Sequence, residues 1–130
     1  MNYKNDVAIN DRLKELVVKG QLDEAVAVAK KYIEDPLHRY YRNELETTIN
    51  DYGYELLNAN RAKEAKKILY MNVQLFPESA NVYDSYAEAC WRAGEKEEAI
   101  KYYQTAISKD PNGPTGENSK KMLEQIKSGN

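Results

Sequence analysis

The chain has 130 residues, 42% hydrophobic and 31% charged, enough for one folded unit around a single core, and wholesale disorder is excluded. Nineteen basic against 21 acidic residues give a net charge of −2, without the basic excess that phosphate-backbone binding demands, so no nucleic acid partner is expected. One Cys and one His exclude an internal disulfide and a Cys/His zinc site, and no apolar run approaches the roughly 20 residues of a membrane span.

The first residues, Met1-Asn-Tyr-Lys, carry no apolar signal-peptide region, so a chain complete as written is expected in the cytoplasm; a fragment of a longer secreted protein carries no such expectation. Leu13, Leu16 and Val17 lead to Gly20, and Ala25, Val28, Ala29 and Ile33 follow before Asp35-Pro36. Apolar residues three and four apart on either side of a glycine predict helix, turn, helix over about 6–36. A long helix is predicted next, from about 38 to 59, with Asn60 just past its end. Ala65, Leu69 and Val73 mark its partner, which Phe76-Pro77 closes. The same pattern returns in Tyr83, Tyr86 and Cys90, then Gly94, then Ala99, Tyr103 and Ile107, then Asp110-Pro111. After Pro114 a last helix over about 115–127 puts Met122, Leu123 and Ile126 on one side.

Residues 46–79 and 80–113 are two copies of one unit. Tyr52 meets Tyr86, Gly53 meets Ala87, Leu56 meets Cys90, Ala65 meets Ala99, Leu69 meets Tyr103 and Pro77 meets Pro111, every pair 34 apart. Asn60 and Gly94 stand where a left-handed residue ends the first helix of each copy. Ala25 to Ala65 is 40, so about six residues are inserted ahead of the second copy, placed here as extra turns on the long helix.

These residues resemble the tetratricopeptide repeat. In 80–113, Tyr83, Tyr86-Ala87, Gly94, Ala99, Tyr103, Ala106 and Pro111 occupy the signature places of that family, as do Gly53, Ala65 and Pro77 in the copy before. Residues 6–36 keep mainly Gly20, Ala25 and Pro36, and departures fall at Cys90, where an aromatic is usual, and Asn72, where Ala is usual. The resemblance implies one all-α domain over 1–130, a right-handed α-solenoid of about three hairpins and a capping helix, about seven helices in all. It implies a concave groove of first helices that holds a peptide or partner helix, lined here by Asn10, Lys14, Asn50, Tyr54, Asp84, Glu88 and Trp91. Members that clamp the carboxylate tails of chaperones use Lys, Arg and Asn; Lys14 and Asn50 would fit, whereas Asp84 and Glu88 would repel such a tail and favour a basic ligand. The segment Asn81-Val-Tyr-Asp-Ser-Tyr-Ala-Glu-Ala, followed by Gly94, Ala99-Ile100 and Asp110-Pro111-Asn112, makes the last two copies also similar to the repeat tail of some bacterial serine hydrolases related to β-lactamases and esterases. That resemblance offers an alternative, a non-catalytic accessory domain docked on its enzyme by the first hairpin's edge at Val17-Val18. The first hairpin has no covering helix unless residues 1–5 supply one, and a homodimer through that edge would also protect it.

No nucleophile elbow, phosphate-cradling glycine loop or metal-binding helix motif is present, so neither an enzyme nor a cofactor or metal site is expected. Asp84 and Glu88, four apart, have the spacing of an acid–base pair, but nothing convergent accompanies them and an exposed acidic face is the expectation. Cys90 in the apolar stripe reads as a small buried hydrophobe, His38 as an exposed residue near a helix start, and Glu95-Lys96-Glu97-Glu98 as acids at a positive helix end. Lys63, Lys66 and Lys67 are diluted by acids and read as a solvated outer face rather than an RNA contact. Eleven Tyr against one Phe and one Trp exceed what the repeat places absorb; Tyr40, Tyr41, Tyr54, Tyr70 and Tyr102 are left for an interface or for packing between hairpins.

Overall fold

The computed structural model describes residues 3–129. Seven α-helices follow one another: α1 (Tyr3–Val18), α2 (Leu22–Glu34), α3 (Arg42–Asn58), α4 (Ala62–Leu75), α5 (Ala80–Arg92), α6 (Lys96–Lys109) and α7 (Pro114–Ser128), with a 3-10 helix at Pro36–Tyr41 and no strand among the described residues. The chain is therefore an all-α helical solenoid of three hairpins closed by a last helix, as expected. Of residues 1–5, expected as a possible cover for the first hairpin, residues 3–5 belong to α1 itself, and Met1 and Asn2 lie outside the described residues, as does Asn130.

The three tight turns share one mechanism. Gly20, Asn60 and Gly94 have φ of 79°, 61° and 85°, the left-handed conformation that reverses the chain after a helix. In each turn the following N–H reaches back six residues inclusively to a helix carbonyl: Gln21 to Leu16 at 2.8 Å, Arg61 to Leu56 at 2.9 Å and Glu95 to Cys90 at 2.9 Å. Small residues then let the paired helices close. Ala25, Ala65, Ala87 and Ala99 have no exposed surface. A Cβ on Gly53 would stand 2.5 Å from Leu69 Cγ, so only glycine allows α3 to meet α4 at that crossing.

The six inserted residues do not lengthen a helix, which corrects the expectation of one long helix over 38–59. They form the separate 3-10 helix, and α3 begins only at Arg42. Proline at 36 and the Asp35 carboxylate, which accepts from Leu37 N at 2.9 Å, start it. His38 then accepts or donates at 2.9 Å between Nδ1 and Tyr32 O and stacks on the Tyr32 ring at 3.8 Å, so it is a half-buried packing residue and not an exposed one. Packing at the first junction differs as a result. α4 packs broadly on α5, and α6 on α7, but α2 lies along α4 while the 3-10 helix fills between α2 and α3. Asn72, where the family prefers Ala, is fully buried and donates from Nδ2 to Glu46 O at 2.9 Å, tying α4 to α3.

Candidate functional site

Side chains on the first helices join each helix to the next. Lys14 of α1 places its ammonium 4.8 Å from the centroid of the Tyr52 ring on α3. Tyr54 of α3 donates to Glu88 Oε1 of α5 at 2.9 Å. Asp84 of α5 accepts from Ser119 Oγ at 2.6 Å and from Asn118 Nδ2 at 3.1 Å, both on α7. Arg92 adds a bond to Leu57 O at 3.1 Å and a 3.4 Å ion pair to Glu88. Side-chain hydrogen bonds thus brace α3, α5 and α7 along one face, and α1 joins it through the Lys14–Tyr52 contact.

The expected groove residues have different fates on it. Lys14 is exposed, and Asn50, Tyr54, Glu88 and Trp91 are half-buried. Asn10 is half-buried and accepts from Tyr41 Oη at 2.6 Å, which ties α1 to the end of the 3-10 helix. Asp84 is the exception: only 7% exposed, it does not line an open acidic surface but anchors α7. Burial pushes its carboxyl above the usual carboxylate range, while the Ser119 and Asn118 donors pull it back. Burial also raises the Tyr54 phenol, which therefore stays protonated and keeps donating to Glu88.

The groups outside this face resolve as follows. Cys90 is fully buried with its thiol pushed up to about 11 by burial, so it is an inert thiol at neutral pH. Cys90, Glu95 and Glu98 bring three potential ligand atoms within 4.8 Å of one another, yet the Lys66 ammonium is bonded to Glu95 and lies 3.9 Å from Glu98, occupying the place of a cation. Of the spare tyrosines, Tyr70 and Tyr102 pack against Tyr86 at centroid distances of 5.2 and 4.8 Å. No helix is long and apolar enough to cross a membrane among the described residues. Sequence reasoning missed Asn118, Ser119, Asn72 and Glu46 as structural polar residues. The signal was present for Asn118, which stands 34 residues after Asp84.

Residues 80–112 match the tetratricopeptide repeat family. No curated protein matches the sequence. Among solved structures, the chain is similar to the first TPR of Spaghetti (RPAP3) bound to the HSP90 peptide SRMEEVD, with a TM-score of 0.58 and 17% identity over 95% of this chain and 90% of that one. The solution structure of the first TPR domain of the human RPAP3 protein gives a TM-score of 0.57 and 18% identity over 95% of this chain and 92% of that one. At that identity the likeness concerns the fold.

Proposed function

We propose that this chain, a tetratricopeptide-repeat fold whose third hairpin matches the family over 80–112, is a non-catalytic protein-interaction module. It holds an extended segment or helix of a partner across the face shared by α1, α3 and α5. The supporting observation is the cross-bracing of that face: Lys14 on Tyr52 and Tyr54 on Glu88 order its side chains before a ligand arrives, which lowers the entropy cost of binding. Half-buried Trp91 is the apolar anchor. A similar domain holds an acidic HSP90 peptide. Here Lys14 and Asn50 suit a carboxylate at one end, whereas Glu88 at the other favours a Lys- or Arg-bearing segment, with Asp84 withdrawn into the α7 contact.

The test is affinity capture from a lysate of the source organism with the parent and a Glu88→Lys/Trp91→Ala variant of equal helicity. A protein enriched on the parent and lost on the variant supports the reading. Equal capture on both, or none, removes the first-helix face from consideration.

A second reading changes only the occupant and its place. Val18, 75% exposed at the end of α1, would be covered by an attached serine-hydrolase domain or by a second copy of the chain. A catalytic domain encoded upstream in the same reading frame would support the first of these, and a monomer mass independent of concentration would remove the second.

A further inference from the structure

A cavity of about 320 Å3 opens on the second-helix side, away from the braced face. Its origin is the first junction. Because α2 lies along α4, Leu22 at the start of α2 lines one space together with Tyr70 of α4, Tyr86 of α5 and Glu95. The two tyrosine rings lie 5.2 Å apart at 45°, and Tyr86 is only 6% exposed, so this part of the lining is packed aromatic surface. Three lysines, Lys63, Lys66 and Lys67, line the same space. Lys66 is taken by Glu95 and Glu98. Lys63 and Lys67, one helical turn apart, are exposed and form no direct salt bridge among the described residues, and Glu64 is the carboxylate that feels the Lys67 charge.

An apolar, aromatic lining beside two cations that make no direct ion pair is a specific chemical request: a flat ring to lie on Tyr70, Tyr86 and Leu22, bearing an anion that reaches Lys63 and Lys67. Lysine supplies point charge rather than the planar fork of arginine, and a tetrahedral dianion takes more from two such charges than a single carboxylate does. The volume lies near the lower end of small-ligand pockets, roughly 300 Å3, which suits one ring and its substituent. We propose that this cavity binds an aryl phosphate, either a free small molecule or the phosphotyrosine side chain of a protein.

Phenyl phosphate titrated into the isotope-labelled protein tests this, with inorganic phosphate, phenol and a short phosphotyrosine peptide in parallel. The expected result is saturable chemical-shift change at Leu22, Tyr70 and Tyr86, with phenyl phosphate at least tenfold tighter than either fragment. Lys63→Gln/Lys67→Gln should weaken it at least tenfold, and Lys30→Gln/Lys31→Gln, on α2 and outside the cavity lining, should not; all four are surface positions, and helicity checks the folding of each variant. A phosphotyrosine peptide that binds tighter than phenyl phosphate identifies a protein source, and the reverse a metabolite. No saturable binding of phenyl phosphate, equal binding of inorganic phosphate, or binding that survives Lys63→Gln/Lys67→Gln overturns the proposal. These readouts are independent of the first-helix face, so failure here leaves the proposed function standing.

Discussion

Asp84 of α5 accepts a 2.6 Å hydrogen bond from Ser119 of α7, and the serine is completely buried. The pair fastens the closing helix to the last hairpin, and its chemistry sets two expectations. Asp84→Leu leaves the Ser119 hydroxyl and the Asn118 amide without their acceptor and should cost about 1–3 kcal/mol, with faster amide exchange concentrated in α7. Asp84→Asn keeps an acceptor and should stay within about 1 kcal/mol of the parent at neutral pH.

The pH dependence follows from the same carboxyl. Burial raises it above the usual carboxylate range, so the folded protein takes up this proton more readily than the unfolded chain. Its contribution to stability is complete below the unfolded carboxylate range and is lost as pH rises through the folded value. Asp84→Asn should remove that slope from a plot of stability against pH, and an unchanged plot would show that the carboxylate is not desolvated.

Close helix approach makes a second set of expectations. Gly53→Ala pushes a methyl against Leu69, which is itself fully buried and cannot swing into solvent, and should destabilise by about 1–3 kcal/mol despite the better helix propensity of alanine. Ala99→Leu should cost a similar 1–3 kcal/mol by the same overpacking. Thermal melts read both, and a melt matching the parent for either would contradict the packing described.

Tyr103 behaves in the opposite way. Its ring is fully buried at a signature place, and its hydroxyl has no hydrogen-bond partner among the described residues. Tyr103→Phe keeps the ring and removes an unpaired polar group, so stability should be unchanged or rise by about 1 kcal/mol. A loss above that range in urea unfolding would show that the hydroxyl is paired.

Cys90 should be silent toward a thiol reagent at pH 7, since it is buried and its thiol is pushed up to about 11. Labelling should follow unfolding, becoming complete in denaturant. Native-state labelling at the rate of a free thiol would refute the burial.

What could be read in the sequence was whatever has a local physical signature. The left-handed turns at Gly20, Asn60 and Gly94 and the tight contacts at Ala65 and Ala99 follow from residue type and spacing, and all are present. The insertion was legible in length but not in shape. Whether six extra residues extend a helix or form a separate turn was decided by the Asp35 cap and by His38 stacking on Tyr32, and periodicity carries no trace of a stacking partner six residues away. Asp84 illustrates a different limit: a carboxylate four residues from another reads as exposed, and only a partner on another helix reveals that it is inside.

The bonds between consecutive first helices use a different residue pair at each level. Tyr54 reaches Glu88 and Asp84 reaches Asn118, in each case 34 residues on. Excising one unit of that length, residues 80–113, would bring Met122 opposite Tyr54 and Asn118 opposite Asn50, so the tyrosine would lose its acceptor. The last two hairpins are thus keyed parts, whose side chains accept only one order of assembly.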